Sequence, residues 1–285
     1  MNIATEWKDY QIIATGDGYK LERWKDVILL RPDPQIIWKS KFDLFKYKNI
    51  NAVYHRSNTG GGGWEVLKPM PKEWVVSYKD LNFLIKPMGF KHTGLFPEQA
   101  VNWETMRELI KKSQRKISVL NLFAYTGGAT AACAAAGAEI THVDAAKAMV
   151  ERAKENLSLS NLQNANVRYI VDDCLKFVLR EIKRGKRYDA VIMDPPSFGR
   201  GPNGEVWKIE DNIYNLVESC MAVLTENPLF FLINSYTTGL QPLVLKNILA
   251  SALGVDINKT QSYENGIITD DGLVLPCGAS GIFIA

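Results

Sequence analysis

The chain has 285 residues, 46% of them hydrophobic and 23% charged, an ordinary globular composition with enough apolar mass for one large or two modest cores. A formal net charge of +3 tolerates a polyanionic partner but falls short of the basic bias of a dedicated duplex binder. Cys133, Cys174, Cys220 and Cys277 match neither a disulfide scaffold nor a CxxC metal spacing, and with His55, His92 and His142 equally scattered no metal site is expected.

The start, "MNIATEWKDYQ", has no basic region followed by an apolar run, so no secretory signal is expected and the expected compartment is the cytoplasm. No membrane span is expected either: Val119–Ala138 comes nearest and is broken by Asn121, Gly127 and Gly128. Residues 1–86 read as a small β-rich domain. "YQIIAT" turns through "GDG" into "YKLERW", followed by "VILLR", "IIW", "AVYHR", "WEVL", "WVVSY" and "NFLIK", with "SYKDLNF" as a tight hairpin. Five of the seven tryptophans lie here and serve as core anchors. "NTGGGGWE" is no P-loop, since no Walker lysine follows; it reads as a flexible loop or a hinge. "KSKFDLFKYK", Lys39 to Lys48, interleaves lysines with Phe42, Phe45 and Tyr47; it is either a solvated charged face or a surface for stacking single-stranded bases.

From Lys116 the pattern changes to strand alternating with helix, and residues 87–285 read as one α/β domain. "KISVLNLF" is a buried parallel strand and "GATAACAAAGA" a helix of small residues. "EITHVD", "VRYIVDD", "YDAVIMD" and "PLFFLINSY" are further strands, and "AAKAMVERAKENLSLSNL", "CLKFVLREIKRGK" and "IYNLVESCMAVL" are helices. Such a parallel sheet has right-handed crossovers and binds ligands at the carboxyl ends of its strands, near the switch in strand order. "GLVLPCGASGIFIA" reads as a hairpin edge.

Acids stand at three successive strand ends: Asp144, the pair Asp172/Asp173, and Asp194. The turn "FAYTGGAT" lacks GxGxxG, so a grip on pyrophosphate is not expected, although its glycines let backbone approach a ligand. Asp144 follows about twenty residues later, placed to accept from ribose hydroxyls. Asp173 is placed to accept from the amine of adenine and the Cys174 N–H to donate to its ring. An adenosine without pyrophosphate is what S-adenosylmethionine presents. The competing reading is that these aspartates cap helices.

"NLFAYTGGAT", "HVDAAKAMVERAKENLSLSNL", "VDDC" and "VIMDPPSFG" together resemble the class I S-adenosylmethionine-dependent methyltransferases. They are most similar to the large-subunit ribosomal RNA methyltransferases that include the cytosine-5 enzymes. "TGLFPEQAVNW" resembles the segment that family carries ahead of its first strand. The resemblance covers about Lys91 to Tyr236 and implies an α/β, Rossmann-like class I methyltransferase sheet of seven strands with S-adenosyl-L-methionine as cofactor. It also implies a cofactor site drawn from Phe96, Gln99, Asn121, Phe123, Tyr125, Thr126, Gly127, Gly128, Asp144, Ala145, Asp172, Asp173, Cys174 and Asp194. The implied partner is RNA, with no membrane contact; nothing here fixes an oligomeric state.

The stretch "DPPSF" carries the expected catalytic group: Asp194, Pro195, Pro196 and Phe198. The carboxylate accepts from a target amine, carbonyls stiffened by the prolines accept as well, and the aromatic stacks on a base. Ser197 sets the aromatic one place later than in the commonest amino-methyltransferase motif. Cytosine-5 relatives carry a similar Asp-Pro-Pro-x-Phe, but also a nucleophilic cysteine just past the fifth strand. Here that region reads "INSYTT". The expected target is therefore a nitrogen, or a position needing no covalent adduct, with Cys277 as the alternative nucleophile. The loop "GRGPNGEVWKIED", with Arg200, Trp207 and Lys208, is either a lid or a polar connection. Methylation of a small molecule or protein side chain on the same fold, and a binding module without activity, are the remaining alternatives.

Overall fold

The computed structural model of the protein describes residues 1–57, 61–89, 91–200 and 206–285. They form two compact units, one of Ile3–Glu98 with Gly266–Pro276, the other of Met1–Asn2, Gln99–Asn265 and Cys277–Ala285. The boundary expected at residue 86 thus falls at residue 98. Backbone pairing explains the shift: Lys86 and Met88 donate to the carbonyls of Thr93 and His92, and Arg31 donates to that of Lys91, tying this segment to the β-rich unit. The tip of the C-terminal hairpin joins the same unit, where the Asp270 N–H donates to the Ile12 carbonyl.

The first strand, β1 (Asn2–Ala4), is an edge strand of the large sheet described below. Then β2 (Tyr10–Gly16), β3 (Tyr19–Trp24), β4 (Val27–Pro32), β5 (Ala52–Arg56) and β6 (Gly62–Val66) form a five-stranded sheet in chain order. The hairpin of β7 (Trp74–Tyr78) and β8 (Leu81–Ile85) turns at Lys79, whose φ is 52°. Ile36–Trp38 was expected as a strand and is none. Its carbonyls instead accept from the turn between β2 and β3, Gly18 N–H to Ile36 and Asp17 N–H to Trp38, so the segment needs no ladder. The glycine run expected as a loop enters β6 at Gly62; residues 58–60 lie outside the described residues.

The second unit alternates helix and strand. In order come α1 (Ala100–Lys112), β9 (Ser118–Leu122), α2 (Gly128–Ala135), β10 (Glu139–Asp144), α3 (Lys147–Leu159), β11 (Val167–Val171), α4 (Cys174–Lys183) and β12 (Ala190–Met193). They are followed by β13 (Phe198–Arg200), β14 (Val206–Lys208), α5 (Ile209–Met221), β15 (Phe230–Ser235), α6 (Pro242–Leu253), β16 (Thr260–Ile268) and β17 (Val274–Ile284). The main sheet has eight strands in the order β1-β16-β17-β15-β12-β9-β10-β11, the seven implied by the resemblance plus β1. From β15 to β11 all neighbours are parallel, and β17 is antiparallel to β15. The expected C-terminal edge is therefore interior, since β17 lies between β15 and β16.

Strands covered on both faces must be apolar throughout, and β12 and β15 are buried at every position. Val191, Met193, Phe231 and Ile233 join Phe177, Leu216 and Val217 in the main core. Each such side chain contributes roughly 1.5–3 kcal/mol by leaving water. The chain runs from β9 out to β11 and then returns to the other side of β9 with β12, which sets the switch in strand order between β9 and β12.

Candidate active site

Register fixes what stands at the switch. Leu122 of β9 pairs with Val143 of β10 and with Met193 of β12, which pairs with Ile233 of β15. The next row at the carboxyl end of the sheet therefore holds Phe123, Asp144, Asp194 and Asn234. Two of the three expected acidic positions thus flank one strand.

The turn after β9 is bent through the left-handed region at alternate residues: φ is 54° at Phe123, 50° at Tyr125 and 82° at Gly127. For a non-glycine residue that region costs roughly 1–2 kcal/mol, so surrounding bonds must hold it. The Phe123 N–H points at the sulfur of Cys174 at 3.2 Å, the Tyr125 N–H donates to Asp144 Oδ2 at 2.8 Å, and the Thr126 carbonyl accepts from Asn156 at 2.8 Å. The glycines also answer packing. A Cβ on Gly127 would stand 2.8 Å from the Ala153 Cβ, and one on Gly128 would stand 2.7 Å from the Trp103 ring.

Asp144 braces two elements, since its Oδ1 also accepts from the Ala146 N–H at 2.8 Å ahead of α3. Burial pushes its carboxyl above the usual range, against the pull of the Ala146 and Tyr125 N–H groups. Two N–H bonds thus leave the charge undersolvated, and each oxygen retains a lone pair. Hydroxyl donors from a ribose suit that demand, so the residues present fit an adenosine-type cofactor at this point. The Cys174 N–H, at the first position of α4, has no intrahelical acceptor and suits a ring nitrogen. Ala145 is exposed beside Asp144.

Other candidates are committed elsewhere. Asp173 caps α4, its Oδ1 accepting from the Lys176 N–H at 2.8 Å, and Asp172 forms an ion pair with Arg180. The capping reading is therefore the geometry of Asp173. Asn121, the penultimate residue of β9, is buried and donates to Thr130 at 2.9 Å, and Thr130 Oγ1 lies 2.9 Å from His142 Nδ1, so its amide serves a bond inside the fold. Phe96 belongs to the β-rich unit, its ring 5.5 Å from that of His92.

The "DPPSF" segment is fixed at three points. Asn234 donates to Asp194 Oδ1 at 2.9 Å, Trp207 Nε1 donates to the Pro196 carbonyl at 2.7 Å, and Ser197 and Thr237 share a hydroxyl bond at 2.6 Å. The Pro196 carbonyl, expected to face a substrate, thus serves Trp207, whose ring lies 5.4 Å from that of Phe123. Phe198 is 54% exposed. Of the expected lid, Phe198–Arg200 pairs with Val206–Lys208 as a short antiparallel hairpin, and residues 201–205 lie outside the described residues.

Behind Asp194 runs a polar network that the sequence reading missed. Asn234 Oδ1 accepts from Asn265 and Ser280, and the Ser280 hydroxyl accepts from Asn265 and Asn102. Asn102 also donates to Gln99 at 2.7 Å and accepts from Tyr263 at 2.7 Å, and Gln99 donates to the Tyr236 hydroxyl at 2.8 Å. The only sequence signal was a lone polar residue, Asn234, closing the apolar run "LFFLI". All four cysteines are buried; burial pushes the Cys133 thiol up to about 12 and those of Cys174 and Cys220 higher still.

A doubly wound parallel sheet with acids at both sides of its switch defines a nucleoside-binding α/β protein. A family model for S-adenosylmethionine-dependent methyltransferases matches residues 51–220, and the chain belongs to that family. The chain is similar to the S-adenosylmethionine-dependent methyltransferase of Agrobacterium tumefaciens, with 33% identity, a TM-score of 0.90, and coverage of 98% of this chain and 91% of that one. It is also similar to the ribosomal RNA large subunit methyltransferases K/L of Shewanella oneidensis, 28% identical over 79% of this chain and 31% of the relative, and of Shewanella frigidimarina, 27% identical over 59% and 23%. The chain spans less than half the length of the curated relatives it matches. Among the described residues no helix is long and apolar enough to cross a membrane.

Proposed function

We propose that this protein is an S-adenosylmethionine-dependent methyltransferase acting in the cytoplasm on a base of large-subunit ribosomal RNA, at a nitrogen or another position that needs no cysteine adduct. The observation that carries this reading is the row of Asp144 and Asp194 astride β9, with Asp194 held by Asn234. The names of the Shewanella relatives support the RNA target.

On this reading Asp144, the turn Tyr125–Gly128 and the Cys174 N–H hold the cofactor, with Gln99 as a further wall residue. When bound, the cofactor supplies an electrophilic methyl group. Asp194 accepts a hydrogen bond from the amine of the target base and turns its lone pair toward the methyl group. Phe198 stacks on the base, and Pro195 and Pro196 keep the segment from yielding. Asn234 fixes one carboxylate oxygen of Asp194 and so holds the acid at the strand end. At the end of β15, where the family cysteine would follow, are Ser235, only 1% exposed, and then Tyr236, and Cys277 is itself buried. Both favour transfer without an adduct.

The test uses tritiated S-adenosylmethionine and large-subunit RNA from a strain lacking the protein. Tritium enters that RNA, nucleoside mass spectrometry finds one methylated base missing from the strain, and Asp194→Ala abolishes transfer. Labelling of no RNA, or full labelling by Asp194→Ala, refutes the reading; retention by Cys277→Ser supports the absence of an adduct, and its loss points to one.

A further inference from the structure

We propose that the β-rich unit carries a binding site for single-stranded RNA on Lys39–Lys48, with bases stacking on the exposed rings of this segment. This deepens the proposed function, on which it rests, because it names which residues of the β-rich unit grip the RNA substrate.

Two open clefts meet here, of about 460 and 560 Å³, within the size range of ligand sites. The first is lined by Tyr19, Phe42 and Phe45 among others, the second by Phe42, Lys46, Tyr47 and Lys48; Phe42 and Asp43 border both. The rings of Phe42 and Tyr47 lie 6.4 Å apart with planes only 33° from parallel. Both rings border the second cleft, so a base entering it can stack on the face of either. Phe45 stands edge-on to Tyr19 at 5.0 Å and offers a second ring to a neighbouring base. Phe42 is 44% exposed and Phe45 49%, a high apolar exposure to leave in water without a partner.

The segment is built rather than loose. Leu44 is buried among Ala14, Leu21, Leu30 and Val53, and Asp43 caps the single helical turn Leu44–Lys46 by accepting from the Phe45 N–H at 3.1 Å. The rings are thereby presented with little left to order on binding. Charge favours a polyanion. Lys39, Lys41, Lys46, Lys48 and Lys68 gather along this segment against two carboxylates, Asp17 and Asp43. Those acids pair with Lys39 at 3.0 Å and Lys46 at 3.3 Å, while Lys41 and Lys68 donate to the carbonyls of Asp271 and Lys48. Lys48 forms no ion pair among the described residues. Exposed rings among lysines suit a strand whose bases are unstacked and whose phosphates run alongside, and a duplex hides the flat faces of its bases.

The experiment measures fluorescence anisotropy of a labelled twelve-residue oligouridine and of a twelve-pair RNA duplex with the intact protein, without cofactor. Oligouridine binds more tightly than the duplex. Phe42→Ala weakens oligouridine binding by about 5- to 150-fold, and Phe42→Trp restores it. Lys46→Ala with Lys48→Ala lowers the slope of log affinity against log salt by about 1.4. Circular dichroism of each variant matches the parent, because the replaced side chains are exposed. Equal affinity of Phe42→Ala and parent for oligouridine overturns the site, as does preference for the duplex. A loss by Phe42→Ala seen only with whole ribosomal subunits and never with naked RNA assigns the surface to a protein partner, which also overturns it. The function stands apart from this test: unchanged methyl transfer by Phe42→Ala with lost oligouridine binding leaves the enzyme reading intact, and oligouridine binding without transfer to any RNA refutes only the latter.

Discussion

Asn234 donates its side-chain N–H to the Asp194 carboxylate at 2.9 Å and accepts in turn from Asn265 and Ser280, so the acid after β12 is oriented from the neighbouring strand. A hydrogen bond to a charged group contributes roughly 1.5–3 kcal/mol. Asn234→Ala is expected to lower kcat about 10- to 150-fold with a smaller change in the KM of the cofactor, read by tritium transfer. Asn234→Asp is expected to move the acidic limb of the rate profile to higher pH, because a second carboxylate raises the pKa of its neighbour. A full rate in both variants rejects a positioning role.

Asp144 joins the turn after β9 to the start of α3 and is undersolvated there. Asp144→Asn keeps the shape but removes the charge that ribose hydroxyls would meet. Calorimetry is expected to show cofactor binding weakened by about tenfold or more, from the loss of charge-assisted bonds. Unchanged affinity removes Asp144 from the cofactor site.

Asp173 separates two readings of one residue. As the cap of α4 its loss in Asp173→Ala costs about 1 kcal/mol of stability, measured by urea unfolding. If it also grips adenine, cofactor affinity falls in the same variant, and in Asp173→Ser, which retains a capping oxygen, affinity falls while stability is kept.

Two histidines set an acid limit. Burial holds the His142 imidazole down at about 4, and burial with Arg31, Lys91 and Lys20 does the same for His92. Both stay neutral in the fold while the unfolded chain takes up protons near pH 6.5. The stability they confer is full above pH 6.5, declines as pH falls toward 4, and is lost below it. For fully buried His142 the loss is on the order of 3 kcal/mol. His142→Leu is expected to flatten the fall of unfolding free energy between pH 6.5 and 4; an equal slope in variant and parent contradicts the assignment.

Much of the α/β unit was legible because apolar strand runs alternate with helical patterns, and several of the runs close on an acid, as in "YDAVIMD" before Pro195. Short pieces were not: Ile36–Trp38 has strand composition, yet its polar groups are met by a turn, and residues 198–208 carry too few apolar positions to announce a hairpin. At the site, Asp144 and Asp194 were legible as acids closing strand runs, and the role expected of Asp194 came from the resemblance carried by "DPPSF". The reading of Gly127 and Gly128 overlooked Ala153 and Trp103, contacts that only the packed α2 defines. The network from Gln99 through Asn102 and Ser280 to Asn234 joins residues far apart in the chain, and single polar side chains leave no periodic trace.

The insertion of β17 between β15 and β16 has a temporal side. Asp194 leaves the ribosome long before Ser280, so a nascent chain can shape the acid's strand while its buttress is still untranslated. The last of these strands therefore completes the acid's support: once β17 pairs with β15, Ser280 donates to Asn234 and Asn234 to Asp194.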